Sequence, residues 1–79
     1  MKYIYELTGW KNGSEKRYKE TPYKSKADAL AIYWRKEGIF DSIDVCKVTA
    51  EERFLHSKAT HTLINGKWEF HWSYVGEDE

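Results

Sequence analysis

The chain has 79 residues, a third of them charged, and three Phe, four Trp and six Tyr to fill its interior. A single domain this small buries only ~60% of its unfolded surface, so it needs either dense aromatic packing or staples. The one cysteine, Cys46, excludes an internal disulfide, no Cys/His cluster suggests zinc, and the longest apolar run, residues 29–34, is far short of the ~20 residues of a membrane span.

Charge adds a further constraint. Net charge is zero, but residues 1–36 hold nine Lys/Arg against four Asp/Glu, and residues 37–79 hold four against nine. Either the two halves interleave and neutralise each other, or a basic and an acidic patch remain to steer partners. A free thiol without partners makes the cytoplasm the expected compartment.

Residues 3–10 alternate as a strand, with Tyr3, Tyr5 and Leu7 on one face and Ile4, Glu6, Thr8 and Trp10 on the other. Asn12-Gly13 follows, a type I′ hairpin signal because both residues tolerate positive φ. A plain two-residue loop there sets Leu7 opposite Tyr18 and Tyr5 opposite Glu20, with residues 15–21 as the return strand. Thr21-Pro22 ends it, since proline cannot donate to a ladder.

A helix is predicted over residues 26–37, with Ser25 as its cap and Asp28 in the capping-box position. Ala27, Leu30, Ala31 and Trp34 recur at i, i+3, i+4 and i+7 as a narrow apolar stripe. Arg35 and Lys36 suit the last turn and Gly38 suits the position just beyond it. At ~18 Å the helix matches the length of a strand and can lie across one sheet.

Residues 41–49 read as a third strand. Residues 50–52 read as a turn into a long strand over residues 53–64, with an irregularity near Ser57-Lys58 where the alternation lapses. The competing possibility is a short helix over residues 49–55, capped by Thr49 and Glu52. Asn65-Gly66 then sets a second hairpin: Ile64 faces Lys67, Leu63 faces Trp68, Thr62 faces Glu69, His61 faces Phe70 and Ala59 lies near Trp72. Trp68, Phe70, Trp72 and Tyr74 therefore share one face. Trp68, Phe70 and Trp72 are expected to be mostly buried under the helix, against Leu30 and Trp34; left bare, they would form a binding platform. The acidic residues 76–79 are expected to fray.

The predicted fold is α+β, a ββαβββ chain forming one antiparallel sheet of four to five strands with the helix on one face. The strand order 2-1-3-4-5 avoids crossed connections. No catalytic, cofactor-binding or metal-ligating set is evident. His61 and His71 fall on opposite faces, His56 and His61 are five apart, and zinc needs three or four converging ligands. Cys46 has no neighbouring cation or helix N-terminus to lower its pKa. The carboxylate pairs Glu51/Glu52 and Asp41/Asp44 lack a cleft to set their pKa values apart. The chain is expected not to be an enzyme.

Two binding surfaces remain. The face away from the helix offers Ile4, Trp10, Ile64 and Val75 for a protein partner or a second copy of the chain, with Trp10 as anchor. The first hairpin and its exit offer Lys16, Arg17, Lys19, Lys24 and Lys26, with Tyr18 and Tyr23 interleaved, for nucleic acid.

The stretch over residues 13–30, a basic strand running into an aromatic, then Ser-Lys and an Ala-Asp-Ala helix start, resembles the hairpin-to-helix join of arm-type DNA-binding domains of phage integrases. It is similar also to small phage and prophage proteins of unassigned activity. The resemblance implies a sheet that contacts DNA through Lys16, Arg17 and Lys19. This chain departs from that family in the strands that follow the helix. The favoured expectation is a small non-enzymatic protein-binding module of a phage or prophage accessory or inhibitor type; the alternative is a DNA- or RNA-binding module.

Overall fold

The computed structural model describes residues 2–74. Strands β1 (Tyr3–Lys11) and β2 (Ser14–Thr21) form a hairpin, followed by helix α1 (Lys24–Glu37) and strands β3 (Ser42–Thr49), β4 (Leu55–Ile64) and β5 (Lys67–Tyr74). The five strands make one antiparallel sheet in the order β2-β1-β3-β4-β5, as expected. Both Asn-Gly loops take the paired positive φ of type I′ turns: Asn12 52° and Gly13 79°, Asn65 54° and Gly66 79°.

The β4–β5 register is the one the second hairpin dictates, from Ile64 opposite Lys67 to Ala59 opposite Trp72. The first hairpin differs. Trp10 faces Glu15, but Gly9 faces Arg17, so Lys16 is an extra residue and β2 is bulged. Leu7 consequently meets Lys19 and Tyr5 meets Thr21, not Tyr18 and Glu20. A one-residue slip reverses the faces of a strand, so Arg17 and Lys19 join the helix side while Tyr18 and Glu20 join the open side. A second bulge lies in β4, where Val48 faces Leu55 and Lys47 faces Ser57, leaving His56 extra. The irregularity expected near Ser57-Lys58 is thus one residue earlier.

Residues 50–52 form a turn, as expected, the strand after it begins at Leu55 and not at Arg53, and the short-helix alternative does not form. Arg53 enters the left-handed region at φ 62°, its N–H donates to the Thr49 carbonyl, and the Phe54 N–H donates to Thr49 Oγ1. The helix begins two residues earlier than expected. Tyr23, not Ser25, stands at its cap without a side-chain capping bond, and the Tyr23 carbonyl accepts from the Ala27 N–H at 3.0 Å. Gly38 closes the helix at φ 75°, with Arg35 and Lys36 in the last turn.

Leu7, Ile43 and Val45 of the sheet pack against Ala27, Ala31 and Trp34 of the helix, and Leu30, Tyr5, Ala59 and Trp68 border them. Phe40, which lies outside the regular core pattern of the sequence, is core: 2% exposed, with its ring 5.4 Å from that of Trp34. Gly9 makes room for it, because a Cβ at Gly9 would lie 2.5 Å from the Phe40 ring. Asp41 ties the helix exit to both hairpins. Its N–H donates to the Trp10 carbonyl, its carbonyl accepts from Leu63, and its carboxylate accepts the Asn12 N–H.

Candidate interaction surface

The helix packs over β1, β2 and β3. A helix is ~10–12 Å wide with its side chains, and strands repeat every ~4.8 Å, so one helix covers two or three strands of five. The helix side of β5 beyond Trp68 is left bare, while Ala59 and His61 of β4 stay at the border of the core. Trp68, nearest the helix, is half-buried under the Arg35 guanidinium. Phe70 is 60% exposed, Trp72 54% and Tyr74 60%. The expectation that the ladder is buried therefore fails for Phe70 and Trp72, for a reason of width: the helix is long enough for the sheet but too narrow.

These rings are ordered against one another. Trp72 and Tyr74 lie 5.7 Å apart, His61 meets Phe70 edge-on at 5.1 Å, and His56 sits 4.9 Å from Tyr74 and 5.2 Å from Tyr3. The β4 bulge brings His56 into that row, and Tyr74 Oη lies 3.3 Å from its Nε2. A shallow groove of about 290 Å³ runs between Tyr5, Trp72, Tyr74 and His56, with Val45 and Ala59 beneath and Lys24 and Lys47 at its rim. The Lys47 ammonium stands 4.5 Å over the Tyr3 ring. The surface is aromatic with a cationic border. That arrangement suits apolar side chains flanked by acidic groups.

The opposite face carries ion pairs beside a small apolar group of Ile4, Val48 and Leu55. Trp10 is half-buried and its indole N–H donates to Asp44 Oδ2 at 3.0 Å, an oxygen that also faces Lys58 at 3.7 Å. Arg53 bridges Glu6 and Glu20 at 2.7 and 3.2 Å, and Tyr18 donates its hydroxyl to Glu20. Those two bonds hold the Glu20 carboxyl below its ordinary pKa, while burial and Glu20 push the Tyr18 phenol up. Ile4 is half-buried and pairs with Val48, six residues along β1 from Trp10, a separation of ~20 Å. Ile64 is exposed beside the second turn, and Val75 lies outside the described residues. Ile4, Trp10 and Ile64 share a face without forming one apolar patch.

The basic residues are also dispersed. Arg17 grips Glu37 through two bonds of 2.8 and 3.2 Å and lies 5.3 Å over Trp34 and 5.1 Å over Phe40. It closes the core at the end of the helix. Lys24 pairs with Asp28 at 2.8 Å, and Lys26 lies 5.5 Å over Tyr23. Lys16 sits at the bulge and Lys19 opposite Leu7. The Arg17–Glu37, Arg53–Glu6 and Arg53–Glu20 pairs each join the basic half of the chain to the acidic half. Interleaving, not segregation, describes these charges.

Reactive groups are few. Burial pushes the half-exposed Cys46 thiol up, away from thiolate. His61 is buried on the helix side, 6% exposed, and burial followed by the Arg35 charge lowers its pKa. Among the described residues no three His, Cys, Asp or Glu side chains gather as metal ligands, and no helix is long and apolar enough to cross a membrane. Signals for the aromatic surface were present in the sequence: four alternating rings on the last strand and a helix only one stripe wide. Compared with protein-family models, curated proteins and solved structures, the chain matches none.

Proposed function

We propose that this chain is a small non-enzymatic protein-binding module, of a phage or prophage accessory or inhibitor type, acting in the cytoplasm and holding its partner on the bare aromatic half of its helix face. One observation carries the reading: Phe70, Trp72 and Tyr74 stand in a row, each more than half exposed. Contiguous aromatic surface on so small a domain marks an interaction site, and Trp and Tyr are the side chains that most often anchor one. Lys47 at the groove rim favours a partner with acidic groups flanking its apolar side chains.

A second reading, nucleic-acid binding, draws on Lys16, Lys19 and Lys26 beside exposed Tyr18 and Tyr23. It is the weaker, because Arg17 and Lys24 already have acidic partners and the zero net charge reduces the counterion release behind such affinity. Capture of partners from host lysate, with and without nuclease, separates the two. A discrete protein retained after nuclease treatment supports the first reading; loss of all captured material on nuclease treatment supports the second.

A further inference from the structure

We infer that the β5 edge pairs with the β5 edge of a second copy of this chain. The sheet ends on β2 and β5, and the two edges are built differently. β2 carries Glu15, Lys16, Arg17, Lys19 and Glu20 and a bulge at Lys16, devices that keep foreign strands away. β5 runs eight residues in unbroken register with β4, without bulge or proline, and Lys67 and Glu69 are its only Lys, Arg, Asp or Glu.

The hairpin fixes which backbone groups that edge offers. With a two-residue loop, Ile64 and Lys67 form the first hydrogen-bonded pair, and such pairs recur at every second position. Lys67, Glu69, His71 and Ser73 therefore turn their N–H and C=O toward β4. Trp68, Phe70 and Trp72 turn theirs outward. The open donors and acceptors belong to the aromatic residues.

An antiparallel pairing of two such edges about a two-fold axis is most complementary in one register. Centred on Phe70, it sets Phe70 against Phe70, Trp68 against Trp72 and, on the other face, Glu69 against His71, the last two pairs each formed twice by symmetry. Centring on Glu69 sets two carboxylates against each other, and centring on His71 sets two imidazoles together and leaves Glu69 against Ser73. Centring on Trp68 or Trp72 shortens the overlap of the two strands, so overlap together with the Glu69–Glu69 clash selects the Phe70 register. Pairing strand edge to strand edge buries mainly the two backbone edges and the rims of the rings, below the ~1,000 Å² of a small specific interface. The dimer is correspondingly weak. Its two sheets join into one, and the two ladders form a single aromatic floor that stays open to a partner, so this pairing is separate from the proposed protein-binding role.

Sedimentation equilibrium of the full chain, from about 10 μM to about 500 μM, tests the pairing on the concentration scale of a weak interface. The mass should rise from 9.4 kDa toward twice that value. Glu69→Lys should raise the dissociation constant about five- to tenfold, His71→Glu should do likewise, and the double variant, which sets a lysine against a glutamate in each pair, should return to within about twofold of wild type. Glu69 and His71 both lie at exposed positions, and amide exchange supplies a readout on the unmodified chain: Phe70 and Trp72 N–H groups should gain protection as concentration rises. A constant 9.4 kDa mass, or a dimer indifferent to the charge variants with no added protection at Phe70 and Trp72, overturns the proposal.

Discussion

Gly9 and Phe40 form a pair whose members are unremarkable apart and necessary together. The Phe40 ring fills the space a side chain at Gly9 would occupy, so Gly9→Ala should cost about 1–3 kcal/mol by forcing the ring out of its well. Urea denaturation checks this, and Phe40→Leu in the Gly9→Ala background should recover part of the loss if the clash is the cause. His61 gives a pH signature. It is neutral and buried in the folded chain with its pKa lowered, whereas the unfolded chain binds its proton near the ordinary value of about 6.5. The unfolded state therefore takes up more protons below that value, so the His61 contribution is intact above pH ~6.5 and is lost as pH falls toward the lowered folded value. Denaturation midpoints measured at steps between pH 7.5 and 5 should show the decline, and His61→Leu should flatten it. Arg17 illustrates how a residue read as a phosphate contact turns out to be structural: its planar guanidinium covers Trp34 and Phe40 while its two edges grip Glu37.

Among the elements, those governed by neighbours in sequence were legible and those governed by distant contacts were not. Asn12-Gly13 and Asn65-Gly66 announced both hairpins, and two matching alternations fixed the β4–β5 register residue by residue. The helix stripe of Ala27, Leu30, Ala31 and Trp34 indeed faces the core. The Lys16 bulge left no local signal, because its consequence is tertiary: it turns Arg17 to the side where Trp34, Phe40 and Glu37 wait. Deleting Lys16 should remove the bulge while keeping Arg17 opposite Gly9, so the variant should fold with the Arg17–Glu37 pair intact. Two-dimensional NMR of the variant checks this, and a collapsed spectrum would show that the bulge itself is required. Phe70 and Trp72 stay exposed because the helix matches the sheet in length but not in width. Phe40 is core without a sequence signal, since it lies in the link after the helix, where no periodicity marks it.

The molecule as a whole has one covered region and one bare one on the same side of its sheet. That division separates stability from binding. Trp34→Ala, which empties the centre of the core, should cost about 3–5 kcal/mol and unfold much of a marginally stable domain. Phe70→Ala with Trp72→Ala removes rings that are already more than half in solvent and should move the thermal midpoint far less. The most direct test of the aromatic-surface account is capture of proteins from a nuclease-treated cell lysate by three forms of the chain: wild type, Trp10→Ala, and Phe70→Ala/Trp72→Ala, each first confirmed as folded by its thermal transition. A discrete protein should be retained by wild type and by Trp10→Ala and lost with the double variant; equal retention by the double variant, or loss with Trp10→Ala alone, would contradict the account.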